Sequence, residues 1–182
     1  LIALDKKTGK LLGEDSAGIG GRLFHGQWSS PSAGQVNGQW LIFFGGGDGV
    51  CYAFDAQPHK GTGAPIVPVL PGPEYNRAED KDMDYLRKVW WFDCNPPEHK
   101  MKDGKPFEYP AAEGPSEINA TPVFWKNRIY VPVGQDPEHG EGVGILTCID
   151  ATKTGDITKT GKIWSFDKIN RSISTVSITP DG

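Results

Sequence analysis

The chain has 182 residues, 37% hydrophobic and 10% aromatic, enough to bury one sizeable core. Its formal charge of −4 leaves no basic excess to neutralise phosphates, which excludes a protein built mainly to bind nucleic acid. No run of about 18 apolar residues occurs, so no transmembrane segment is expected.

The 24 glycines and 15 prolines suit strands joined by turns better than helices. Cys51, Cys94 and Cys148 are an odd set without a Cys-x-x-Cys pair. They give neither a disulfide framework nor a zinc signature and are expected to be buried free thiols, although one disulfide stays open. They do not fix the compartment. No signal peptide is visible.

Leu1 to Asp5 reads as the middle of a strand, and no Met opens the chain. Both features suggest a fragment of a longer protein or a processed product. Lys10 to Asp15 follows a Thr-Gly turn and reads as a second strand. Residues 28–36, 39–45 and 50–55 are the next three strands.

Between the last two lies Gly45-Gly46-Gly47-Asp48-Gly49. A phosphate-binding loop would need Gly-Lys-Ser/Thr opening a helix. Here Val50-Cys51-Tyr52-Ala53-Phe54 follows, a β-rich run. The Asp-Gly pair therefore predicts a hairpin turn, since both residues tolerate positive φ.

Residues 57–87 form a long insertion rich in Pro, Gly and charge, within which Met83 to Arg87 is expected to make one helical turn. The fourth strand is 88–93. A second insertion, 94–117, leads to strands at 119–125, 128–134, 144–150 and 161–167. A fresh copy starts at Ser172 and stops at Gly182. Loops of such length in a compact domain are often recognition elements.

The chain repeats itself. Lys88-Val89-Trp90-Trp91-Phe92-Asp93 matches Lys162-Ile163-Trp164-Ser165-Phe166-Asp167, with Lys10 to Asp15 a weaker copy. Strand ends at Asp5, Asp55 and Asp150 also match, as do Ser29-Ser30-Pro31 and Ala120-Thr121-Pro122. One unit is four short strands, which predicts an all-β fold, a partial β-propeller of four-stranded antiparallel blades. The single partial propeller spans 1–182. It divides into 1–15 (the end of a blade), 28–93 (a blade with insertion 57–87), 94–117 (an inter-blade insertion), 118–167 (a blade) and 171–182 (the start of the next). Trp90 and Trp164 are expected as core wedges between blades. Two blades and part-blades do not close a ring, so the chain is expected to be a piece of a longer propeller or to self-associate over its open edges.

The order of strand, Asp-Gly turn, Tyr52 to Ala56 or Cys148 to Ala151, Thr-Gly turn and Lys-Val/Ile-Trp resembles the pyrroloquinoline-quinone (PQQ)-like propeller repeat. The resemblance covers nearly the whole chain. It implies an eight-bladed (or seven-bladed) parent and an extracytoplasmic location, periplasmic or secreted. The same repeat builds quinoprotein alcohol dehydrogenases and a non-enzymatic outer-membrane assembly lipoprotein, so fold does not decide function. The dehydrogenase branch implies an adjacent Cys-Cys pair, a Trp stacked on the quinone, calcium held by Glu, Asn and Asp, and an Asp base. This chain has no Cys-Cys pair, and none of its residues matches the calcium ligands or the base. The expectation is a non-enzymatic binding or scaffold module with no catalytic residue and no cofactor, its target a protein or a carbohydrate-like ligand. The alternative is a fragment of a PQQ- and calcium-dependent dehydrogenase. A third reading is a fragment whose parent acts elsewhere.

Candidate ligand-binding residues follow from the strand openings. His25, Gln27 and Trp28, then Asn119, then Arg171 and Ser172 precede the inner strands of successive units and are expected to line one mouth of the central channel. Asp136, Glu138 and Glu141 cluster in the hairpin after residue 134 and carry oxygens suited to calcium. Their spacing matches neither an EF-hand nor a zinc motif.

Overall fold

Runs of β-branched and aromatic residues broken by Asn-Gly, Lys-Asn, Asp-Gly and Thr-Gly turns fold into strands throughout. The computed structural model of the chain describes residues 1–22, 26–60, 84–106, 116–134, 143–170 and 172–181. Among them there is no α-helix, only single 3-10 turns at Ile19–Arg22 and Pro97–Lys100.

The first sheet pairs β1 (Ile2–Leu4) with β2 (Leu11–Asp15) antiparallel. The second is a meander of β3 (Ser32–Val36), β4 (Gln39–Gly45), β5 (Val50–Asp55) and, after β6 (Asp84–Leu86), β7 (Lys88–Asp93). A small ribbon, β8 (Met101–Lys102) with β9 (Lys105–Pro106), sits in the second insertion. The third sheet repeats the meander with β10 (Val123–Trp125), β11 (Arg128–Val133), β12 (Val143–Asp150) and, after β13 (Gly155–Asp156), β14 (Lys162–Asn170). Among the described residues none of the three sheets closes on itself.

Local chemistry sets the turns. Asn37 (φ 49°) and Gly38 (φ 84°) make the two-residue hairpin between β3 and β4. Lys126 (φ 48°) and Asn127 (φ 60°) do the same between β10 and β11, without glycine. The glycine stretch is a hairpin, as expected, but Asp48 does not share the left-handed region. Gly49 (φ 74°) alone takes it, and Gly46 N–H donates to Val50 O across a four-residue loop. Aspartates end the strands: Asp5 Oδ1 accepts from Lys7 and Thr8 N–H, Asp55 Oδ1 from Gln57 N–H and Asp150 Oδ1 from Thr152 N–H.

The sheets stack face to face. Ala17, Ile19 and Leu86 join Phe44, Val50, Tyr52 and Phe54 between the first and second sheets. Phe43, Cys51, Ala53, Trp90 and Phe92 meet Ile118, Ile129, Val131, Val133 and Ile149 between the second and third. Phe43 stacks on Phe124 at 5.4 Å, and Gly34 lies so close to that ring that a Cβ would stand 2.2 Å from it. Period-two alternation sends Phe43 one way and Phe44 the other. The middle sheet therefore buries both faces, and every residue of β5 is buried.

Three expectations need correcting. Where a helical turn was expected over Met83 to Arg87, residues 84–86 are β6, which pairs parallel with β2, Gly13 opposite Asp84 and Asp15 opposite Leu86, and Met83 lies outside the described residues. The sheets are not purely antiparallel either, because β13 pairs parallel with β7, Gly155 opposite Trp90. In each case the connection between the third and fourth strands of one sheet pads the last strand of the sheet before it. Trp164 is not a core wedge. Trp90 is fully buried and its indole N–H donates to Ala151 O at 3.2 Å, whereas Trp164 is 40% exposed. Among the described residues no strand pads β14. Residues 172–181 form no strand, though Thr121 N–H donates to Thr175 Oγ1.

Candidate functional site

The connections entering β3 and β10 and the hairpin after β4 gather at one end of the sheets. The Gln27 amide bridges that hairpin: its Nε2 donates to Gly45 O at 2.7 Å and its Oε1 accepts from Gly47 N–H at 3.0 Å. Ser29 Oγ accepts from Gly45 N–H and donates to Ala120 O at 3.0 Å. Ser32 Oγ donates to Pro122 O at 2.5 Å. The openings of the second and third sheets are thus stitched side by side, and Thr121 ties the next opening to them.

Buried polar residues concentrate here: Ser29, Asp48, Asn95, Ser116, Glu117 and Asn119. Asp48 accepts from the Tyr52 hydroxyl at 2.6 Å and from Val50 N–H, which fixes the hairpin. Asn95 Nδ2 donates to Ser116 O at 2.7 Å. Glu117 and Gly134 exchange two backbone hydrogen bonds, at 2.9 and 3.0 Å. Asn119 Oδ1 is buried with no hydrogen-bond partner among the described residues.

Of the residues singled out in the sequence, Gln27 and Asn119 lie in this stitched region. Trp28, between Gln27 and Ser29, points out and is 61% exposed. Ser172 is partly buried and its hydroxyl donates to Ser174 O at 3.3 Å. Gln27 is committed to backbone at both ends of its amide, so its first role is to hold the hairpin. His25, Arg171, Asp136, Glu138 and Glu141 lie outside the described residues, as do the greater part of the 57–87 insertion and residues 107–115. Among the described residues no cluster of three metal-ligating side chains occurs.

At the opposite end a polar clasp escaped the sequence reading. Asp55 Oδ2 lies 3.0 Å from His59 Nε2 and accepts from Arg87 Nη2 at 3.1 Å. His59 and Tyr85 exchange backbone hydrogen bonds of 2.8 and 2.9 Å, and their rings pack at 5.6 Å. The clasp pins both ends of the insertion. Burial pushes the Asp55 carboxyl up, but the hydrogen bonds from Gln57, His59 and Arg87 outweigh it and hold the group below its ordinary value. Its signal was the aspartate ending β5 and a cation just ahead of β7.

The three cysteines are free and buried, as expected. Burial pushes the Cys51, Cys94 and Cys148 thiols up, so none is a ready thiolate. The described site offers hydrogen-bonding edges and one exposed indole rather than a nucleophile with its base. No described helix is long and apolar enough to cross a membrane. No family model, curated protein or solved structure matches the chain.

Proposed function

We propose that the chain is part of a β-propeller of the PQQ-like type and that it serves as a non-enzymatic, extracytoplasmic binding scaffold. The observation that carries this reading is the repeated padding of β2 by β6 and of β7 by β13. It supports a series of like units, each leaning on the next, as blades do. The stitched end of the sheets is then one face of the propeller. Trp28 is its contact residue, offering an exposed apolar plate, and Asn119 lies buried in the same end of the sheets. Such a plate suits the face of a sugar ring or a loop of a protein.

Two titrations of the full chain test the reading. Oligosaccharides on an array are expected to bind through Trp28, with capture lost in Trp28→Ala. Addition of PQQ with calcium is expected to leave the quinone absorbance unchanged. A saturable, calcium-dependent shift would replace the scaffold with a dehydrogenase fragment. Sugar capture indifferent to Trp28→Ala would remove this face from the account.

A further inference from the structure

β1, β5 and β12 each run out on an aspartate at the clasp end of the sheets, and each carboxylate is committed to its own turn. Asp5 Oδ1 accepts from the N–H groups of Lys7 and Thr8 and from the Thr8 hydroxyl. Asp150 Oδ1 accepts from Thr152 N–H and from the Thr152 hydroxyl, at 3.0 and 2.6 Å. Asp55 is held by Gln57 N–H, His59 and Arg87. The other cations at this end have no such engagement. Lys6, Lys7 and Lys10 stand exposed in the turn after β1, and Lys60 stands exposed beside the clasp. Lys126 and Arg128 are exposed at the hairpin before β11, and Lys162 is exposed at the start of β14. Backbone pairing brings the last three together: Arg128 stands opposite Asp150, Lys162 opposite Ile149, and Ala151 N–H donates to Asn127 O at 3.0 Å. Among the described residues none of these lysines, nor Arg128, makes an ion pair.

In a chain of net charge −4, exposed cations are thus gathered at one end. The buried acidic residues Asp48 and Glu117 stand at the other, stitched end. β4 has seven residues. At roughly 3.4 Å per residue it separates the two ends by about 20 Å, more than two Debye lengths of about 8 Å at physiological salt. An anionic surface that meets the basic end is therefore screened from the charge of the stitched end. Successive units cover one another's faces, not their ends, so a following unit leaves this surface open.

We infer that this end of the sheets is a docking surface for an anionic lipid membrane, bound peripherally, with the Trp28 face turned away from the bilayer. The cations come from turns of three stacked sheets, set about 10 Å apart, so they cover a breadth rather than one groove. All but one are lysines, point charges suited to a diffuse field, whereas an arginine fork grips a single anion bidentately. Trp40, 56% exposed, sits among them at the start of β4, and its carbonyl accepts from Ala56 N–H at 3.1 Å. An exposed indole among lysines is the chemistry of a headgroup boundary, where one side of the ring is apolar and the other wet. The surface stands apart from the sugar-binding reading and does not require it.

Co-sedimentation of the full chain with lipid vesicles tests the inference. Binding to phosphatidylcholine vesicles that contain phosphatidylglycerol is expected, with none to phosphatidylcholine alone and release as salt is raised. Lys6→Ala and Lys126→Ala, on different sheets, are each expected to weaken binding about fivefold, and Trp40→Ala by about the same factor. Lys168→Ala, near the far end of β14, is expected to leave it unchanged. All four side chains are exposed, and urea unfolding of each variant checks that the fold is kept. Failure to bind the anionic vesicles overturns the proposal. So does vesicle binding that Lys6→Ala, Lys126→Ala and Trp40→Ala all leave intact. Capture by a sulfated polysaccharide or an acidic polypeptide, with the vesicles left unbound, would assign the basic end to another class of partner and equally overturn it.

Discussion

Trp90 and Trp164 occupy the same place in the same motif, yet one is fully buried and the other is 40% exposed. Trp90 faces the third sheet and is capped by Ala151 O and β13. Among the described residues the ring partner of Trp164 is Tyr130 of its own sheet, at 5.9 Å. The same residue in the same strand is therefore a core residue or a surface residue according to its neighbour. A unit of this fold does not complete its own core; the next unit does.

Substitution at the two tryptophans sharpens that contrast most. Trp90→Ala should lower stability by about 3–5 kcal/mol, the range for large core aromatics, whereas Trp164→Ala should cost about 1 kcal/mol or less. Urea unfolding of the two variants measures both, and similar losses would break the comparison. Next in size is Ile157→Ala, which empties the contact beneath the β13 pad. A loss of about 2–4 kcal/mol is expected, and the exposed Ile163→Ala should be close to neutral. Gly34→Ala drives a Cβ to 2.2 Å from the Phe124 ring, and the flat side of the sheet stack gives it little room. A loss of about 1–3 kcal/mol is expected, against well under 1 kcal/mol for Gly20→Ala, where a Cβ meets nothing within 4 Å.

The smallest effect is in pH. Asp55 is held below its ordinary value: burial raises it, but its hydrogen bonds from Gln57, His59 and Arg87 prevail. Asp150 is likewise held low, burial being outweighed by hydrogen bonds from Thr152 and by nearby cations. A carboxylate whose folded pKa is depressed stabilises the fold above its unfolded value, about 3.9, and the contribution is lost as pH falls through the folded one. Unfolding free energy should therefore be flat near neutrality and drop below about pH 4. Asp55→Asn should flatten that drop, which thermal melts across pH would detect.

The strands, their order and the repeat were legible because turn residues and apolar runs report local structure. Asn37-Gly38 and Lys88 to Asp93 needed no tertiary knowledge. Middle-sheet burial was legible too, since β5 reads as an unbroken apolar run. The pads were not. Gly155-Asp156 and Asp84 to Leu86 are short, polar in part, and become strands only because β7 and β2 offer open edges. The same reason hid the fate of Trp164: the sequence motif specifies a wedge but not the presence of a surface to wedge against. At the candidate face, the Gln27 and Ser29 bonds to Gly45, Gly47 and Ala120 join residues far apart in the chain, which no spacing encodes. The acidic cluster at Asp136, Glu138 and Glu141 lies outside the described residues.

Amide hydrogen exchange, read strand by strand on the isolated chain, tests the central claim most directly. β7, paired on one side with β5 and padded by β13 on the other, should exchange slowly at amides facing either edge. β14 should be slow only at amides that face β12 and fast at those on its open edge. Equal protection of both edges of β14 in the monomer would contradict the claim that each unit depends on the next one for its cover.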